Sequence, residues 1–200
     1  FTSDHGWGMG EKGYLYKNSL WQESTRVPLI VRAPSVSKAG SSSQVPVSLI
    51  DLYPTLIDLC GLSGETVKNP KGKPLDGHSL KPLLADPESQ QWKGPKAALT
   101  ALYKWASYYD PAYQSYSLRS IDWRYVRYEN GKEELHAVTK DPYEWDNLAL
   151  DPCHEKTLSK YRSKLLARIP RSIPEKPKSN EQWKNDYFKK NSKADTNKDG

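Results

Sequence analysis

Two hundred residues suffice for one ordinary domain with a sizeable core, and no apolar run approaches the roughly 18 residues that span a bilayer. The net charge of +6 does not point to nucleic acid. Residues 1–150 hold 17 basic and 17 acidic side chains, so the whole excess lies in residues 151–200, with 13 basic and 7 acidic. That final stretch is rich in Lys, Pro, Ser and Asn, the composition of a solvated extension, although it could also capture a polyanion. Phe1 stands where an initiator Met would, and no basic-then-apolar leader precedes it. The chain is therefore expected to be a piece of a longer protein whose own start, with any signal peptide, lies elsewhere.

In chain order, Arg26–Ala33 is a short β-branched apolar run ended by Pro34 and reads as a buried strand. Val47–Ile50 is a second strand candidate. Asp51 is placed to cap a helix carrying Leu52, Leu56, Ile57 and Leu59, which Gly61 should stop. Cys60, at the end of that apolar run, is expected to be a buried small hydrophobe. Residues 62–96 read as loop. Four β-prone runs follow at Ala98–Tyr103, Tyr116–Ser120, Trp123–Tyr128 and Glu134–Val138, with an Asn130-Gly131 hairpin signal between the last two. Leu158, Tyr161, Leu165 and Leu166 then recur at helical spacing, predicting a helix from Cys153 to about Ile169 that ends at Pro170 and Pro174. The grammar is α/β, followed by a small antiparallel sheet with one covering helix.

The chemistry-bearing residues cluster at the start. Asp4 and His5 are adjacent, so they can converge on one cation only if the backbone turns there, and Gly6, Gly8 and Gly10 permit a turn. Alone, the pair reads more simply as a capping Asp beside a surface His. Lys17 follows a glycine-rich stretch and precedes the apolar run at 26–33. A metal pair, a downstream ammonium and a strand together suit a site for a tetrahedral anion, which the cation polarises and the ammonium stabilises. Far away, Asp195-Thr-Asn197-Lys-Asp199-Gly200 is the first half of a D-x-[DN]-x-[DN]-G calcium loop, or simply an Asp/Asn-rich terminus.

TSDHGWGMGEKGYLYKNSLWQESTRVPLIVRAP, over residues 2–34, resembles the signature of type I sulfatases of the alkaline-phosphatase superfamily. VSLIDLYPTLIDLCGL, LDGHSLKPLL and WRYVRYENGKEELHAVTKDPYEWDNLA resemble later segments of the same family, so the likeness covers roughly residues 1–167. The wording of the first run is most similar to bacterial iduronate-2-sulfatase-type enzymes.

The resemblance implies the C-terminal part of an alkaline-phosphatase-like sulfatase fold. Residues 1–96 would be the edge of the large α/β domain, 97–169 a four-stranded antiparallel sheet packed by a C-terminal helix, and 170–200 a basic tail. The separate Asp195–Gly200 motif would either lead that tail into an EF-hand-like module or end it as a soluble terminus. Asp4 and His5 would be ligands of an active-site calcium ion, although calcium prefers oxygen. Lys17 would contact the sulfate and stabilise the leaving oxygen, and Trp7 would either wall the sugar pocket or pack in its loop. The expected partner is a sulfated carbohydrate or another sulfate ester, in the periplasm or outside the cell. The family's nucleophile is a formylglycine made in a C/S-x-P-S-R motif, and no such motif occurs in these 200 residues. The chain alone is accordingly expected to be inactive. Two rival readings are a phosphodiesterase or phosphonate monoester hydrolase of the same superfamily, since imidazole suits zinc or manganese, and a non-catalytic glycan-binding module that uses the basic tail.

Overall fold

The computed structural model describes residues 1–103, 111 and 114–169. Pro170, Pro174 and the half calcium loop at Asp195, Asn197 and Asp199 lie outside the described residues.

The predicted antiparallel sheet is present with boundaries within two residues of expectation. It comprises β1 (Ala98–Leu102), β2 (Ser115–Arg119), β3 (Arg124–Arg127) and β4 (Glu133–His136), in the order β1-β2-β3-β4. The last turn closes as the Asn130-Gly131 pair predicts. Gly131 takes φ +80°, which an L side chain rarely adopts, and the Tyr128 N–H donates to Lys132 O across 2.9 Å.

Register sorts the side chains into two faces. Leu118 lies opposite Tyr125, which lies opposite Leu135. With Tyr116 these residues form a core against α4 (Glu155–Leu166), which contributes Leu158, Tyr161 and Leu165. One step along each strand, Ser117 faces Val126, which faces Glu134, while Arg124 faces His136. Alternation by two puts this second set on the opposite face. It too is buried, with Arg124, His136 and Ser117 each no more than 2% exposed. The sheet is thus covered on both sides, by a helix on its apolar face and by the N-terminal segment on its polar one. Leu166 departs from expectation and is 41% exposed, because its successor position on the helix turns it away from the stripe of Leu158, Tyr161 and Leu165.

The first hundred residues follow the prediction less closely. Residues 26–33 do not form a buried strand. Leu29 makes a single bridge to Thr2, and Ile30 is 64% exposed. A ladder needs a partner along its length, and among the described residues only Phe1 and Thr2 pair with this run, through Ile30 N–H to Phe1 O at 2.9 Å. Val47–Ile50 is not a strand either, since Leu49–Asp51 is a 3-10 turn. Its cause is Asp51, whose carboxylate accepts from the Ser48 N–H at 2.8 Å and folds the chain back.

The predicted helix is α2 (Leu52–Leu59), after α1 (Gln22–Thr25), and Gly61 ends it with φ +60° and a Leu62 N–H to Ile57 O bond of 3.0 Å. Asp51 occupies its N-cap position, but its side chain makes no bond into the helix. Its carboxylate instead ties Ser48 N–H to His78 N–H, each at 2.8 Å. The buried side of α2 is polar, with Thr55 Oγ1 taking the Leu80 N–H at 2.8 Å. Tyr53, Leu56 and Cys60 share the outer face, so Cys60 is exposed rather than buried. Within the expected loop, Lys81–Ala85 forms a short helix, α3, with Pro82 in its first turn.

Candidate active site

The backbone bends at Asp4, and Gly6 to Gly10 then runs back along Tyr14 to Ser24. Gly10 N–H donates to Tyr14 O (3.1 Å), Gly8 N–H to Tyr16 O (3.1 Å) and Gly6 N–H to Ser24 O (2.9 Å). The turn between these runs is made by Gly10, Lys12 and Gly13, all at positive φ. This hairpin carries Lys17 back to His5 across twelve residues of sequence. Gly6 serves close approach rather than turning, because a Cβ there would sit 1.9 Å from Glu23 O.

Asp4, His5 and Lys17 therefore come together. The His5 Nδ1 lies 2.8 Å from Gly6 O, which can only accept, so Nδ1 carries the proton. The lone pair on Nε2 then faces Lys17 Nζ at 3.1 Å and lies 3.6 Å from Asp4 Oδ2. The Asp4 side chain is 85% exposed, and its other oxygen accepts the His5 N–H at 3.0 Å. Two donors each about 2.0–2.6 Å from one ion and at right angles lie about 3–3.7 Å apart. The 3.6 Å between Asp4 Oδ2 and His5 Nε2 would thus suit a cation in place of the Lys17 ammonium, since the one Nε2 lone pair serves either. Among the described residues no third His, Cys, Asp or Glu joins them. Trp7 is 47% exposed, with its ring 6.4 Å from the imidazole and 6.3 Å from Tyr16. A groove of about 780 Å³ between residues 29–47 and α3 contains none of these residues.

Sequence reasoning missed a second set of residues, on the polar face of the sheet. Arg124 donates through Nε to Glu144 Oε1 and through Nη1 to Leu20 O and Ser117 Oγ, both at 3.0 Å. Glu144, fully buried, also accepts the Gln22 N–H at 3.0 Å, and its carbonyl takes the Lys12 ammonium. Glu134 accepts from Trp21 Nε1 (2.9 Å), Tyr128 OH (2.9 Å) and His136 Nε2 (3.1 Å). The DPYEWDNLA segment is held by its own polar side chains. There Asp141 takes the Asp146 N–H at 2.8 Å, Asn147 takes the Leu135 N–H at 3.0 Å, and Glu144 reaches across to the loop.

Burial alone would raise the Glu134 pKa, but the His136, Trp21 and Tyr128 donors outweigh it and hold the carboxyl below the usual glutamate range. Burial and the Glu134 charge push the Tyr128 phenol up, keeping it a donor. A carboxyl depressed in the fold stabilises it above the unfolded value of about 4.3, and that stability is lost as pH falls through the folded value. Thermal unfolding of Glu134→Gln followed against pH is expected to show a flatter acid limb below about pH 4.3 than the wild type.

The family model for the C-terminal region of N-sulphoglucosamine sulphohydrolase matches residues 10–171. The chain belongs to the sulfatase family. Arylsulfatase K of Danio rerio is 34% identical over 152 residues, which are 74% of this chain and 27% of that protein. A protein solved in complex with its substrate D-glucosamine-2-N,6-O-disulfate superposes with a TM-score of 0.67 at 27% identity, over 83% of this chain and 33% of the other. The phosphonate monoester hydrolase of Agrobacterium radiobacter superposes with a TM-score of 0.69 at 28% identity, over 84% and 34%. The sulfatase chain thus spans about a quarter of the length of the curated relative it matches. Its α/β fold is the C-terminal part of the alkaline-phosphatase-like architecture, with a four-stranded antiparallel sheet packed by α4. No helix among the described residues is long and apolar enough to cross a membrane.

Proposed function

We propose that this chain supplies one rim of the active site of a sulfuric ester hydrolase acting on sulfated sugars, with residues 1–96 forming an edge of its large α/β domain. The observation that carries the reading is the convergence of Lys17 Nζ on His5 Nε2 beside Asp4, in a sulfatase-family chain. In support of the domain assignment, Tyr53, Leu56 and Cys60 present an apolar face outward from α2, as an edge element packed on a larger layer would. Asp4 and His5 would hold a divalent cation, calcium by family resemblance, that draws negative charge from the sulfate oxygens. Lys17 would then stabilise the oxygen that leaves sulfur as the ester bond breaks, and exposed Trp7 would stack against the sugar. The nucleophile, formylglycine by the same resemblance, would come from sequence outside these 200 residues. An iduronate-2-sulfatase-type specificity, and a site of action in the periplasm or outside the cell, extend the same reading.

The test is Lys17→Met in the full-length polypeptide that carries this chain, assayed on an aryl sulfate and on a sulfated glucosamine. Loss of one such charge-stabilising donor is expected to lower kcat about 10²-fold to 10³-fold. Wild-type kcat in the variant would sink the role of Lys17. The likeness to a phosphonate monoester hydrolase favours a second reading, phosphoryl chemistry at the same rim. Turnover of an aryl phosphonate ahead of the aryl sulfate would select it.

A further inference from the structure

We propose that Arg124 and Glu134, on the polar face of the small sheet, and Glu144, in the loop bonded to that face, are positioning residues for Lys17 and His5. The proposal rests on the sulfatase reading for its functional consequence and on geometry for its substance. None of the three makes a hydrogen bond to Asp4, His5 or Lys17. Their contacts instead hold the segment that carries Lys17 at both ends. Ahead of it, the Lys12 ammonium donates to Glu144 O and lies over the rings of Trp21 and Trp145, at 5.1 and 5.3 Å. Behind it, Leu20 O, the Trp21 indole N–H and the Gln22 N–H are taken by Arg124, Glu134 and Glu144 at 3.0, 2.9 and 3.0 Å. The Gln22 side-chain amide adds a bond to Pro142 O at 3.0 Å.

Between these anchors the chain is short and internally tied, through Ser19 N–H to Lys17 O (2.9 Å) and Tyr14 OH to Asn18 O (2.8 Å). Gly6 is in turn bonded to Ser24, so the anchored segment also carries the backbone next to His5. Lys17 is exposed and has no partner of its own in the sheet. Its place beside His5 is thus set at second hand. Glu144 has φ +59°, a conformation that costs a non-glycine residue energy and persists only where the surroundings over-determine it. Here the Arg124 and Gln22 donors do so. The arrangement makes the small sheet more than a lid on its own core, because its polar face fixes the geometry of the rim.

The experiment uses the full-length polypeptide with Glu144→Gln and, separately, Trp21→Phe, which removes the indole N–H and keeps an aromatic ring. Folding is checked by thermal unfolding. Kinetics are read on an aryl sulfate, and the accessibility of the Lys17 amine is read by acylation and mass spectrometry against Lys156 on α4. A misplacement of about 1 Å costs about a hundredfold in rate, so Glu144→Gln should lower kcat by about that factor while KM stays within about twofold. Trp21→Phe forfeits one hydrogen bond to a charged group and should lower kcat about tenfold. Both should change the rate of Lys17 labelling, because the exposed amine no longer rests against His5 Nε2. Folded variants with wild-type kcat and wild-type Lys17 labelling would overturn the proposal. So would a kcat loss that only follows the folded fraction while labelling is unchanged. Should Glu144→Gln unfold, Trp21→Phe decides. If the wild-type polypeptide turns over no sulfate ester, the sulfatase reading fails, and Lys17 labelling in the two variants still decides whether the sheet positions the loop.

Discussion

Glu144→Ala is expected to destabilise the protein by about 3–5 kcal/mol, measured as the shift in denaturant unfolding at constant m. Both partners of its ion pair are shielded, with the Arg124 side chain 2% exposed and that of Glu144 0%. Removing the carboxylate leaves a guanidinium in a site with two neutral acceptors, Leu20 O and Ser117 Oγ, and no counter-charge. The cost is mainly that of a stranded charge, not the attraction forfeited. A contrasting pair checks the logic. Lys81 and Asp58 are close, at 2.9 Å, but their side chains are 44% and 39% exposed, so Asp58→Ala should cost at most about 1 kcal/mol. Arg124→Met with Glu144→Leu should recover much of the loss, because a buried pair replaced by apolar groups of similar volume is often neutral or stabilising. If that double variant regains stability and not kcat, the pair is present for position rather than for folding energy. Equal costs for Glu144→Ala and Asp58→Ala would remove burial as the deciding variable.

The sheet and its helix were legible because their signals are local. Asn130-Gly131 encodes its own turn, strand alternation repeats every two residues, and Leu158, Tyr161 and Leu165 repeat at helical spacing. The departures at 26–33 and 47–50 share a physical origin. An apolar β-branched run states a preference for extended backbone, but whether it becomes a strand depends on a neighbour to bond with. Among the described residues, 26–33 pair only with Phe1 and Thr2, and at 47–50 one carboxylate, Asp51, overrides the preference. Cys60 lies outside rather than inside because hydrophobicity alone does not decide burial, and α2 turns its polar side inward around Thr55 and Asp51.

At the site, residue types pointed to Asp4, His5 and Lys17, and the structure brings the three together. Glu144, Arg124 and Glu134 were not found, since nothing local marks a Glu in DPYEWDNLA as the partner of an amide 122 residues earlier. Long-range polar pairing leaves no periodicity in the sequence. It can be read only when both faces of the sheet are seen and the one facing the loop proves to be polar.

Gly6→Ala tests the other support of the same site. The added Cβ would meet Glu23 O at 1.9 Å and Glu23 C at 2.9 Å, and both are backbone atoms that cannot swing aside. Restoring ordinary contact at 3.4 Å needs a separation of about 1.5 Å between two segments that are now hydrogen-bonded, Gly6 N–H to Ser24 O. Overpacking of about 1–3 kcal/mol plus a lost bond of about 1 kcal/mol gives an expected destabilisation of about 2–4 kcal/mol. The kinetic effect should be larger than the stability effect suggests. Gly6 O holds the His5 ring through Nδ1, and Ser24 follows the anchored segment that bears Lys17, so the displacement falls directly between the two groups. A loss of about a hundredfold in kcat of the full-length polypeptide is expected. Gly13→Ala separates sterics from backbone strain. Gly13 has φ +68°, but a methyl group added there would meet nothing within 4 Å, so its substitution should cost about 1 kcal/mol of conformational strain and leave Gly6 against Ser24. Equal kcat values for the two variants would mean that close approach at Gly6 does not set the distance between His5 and Lys17.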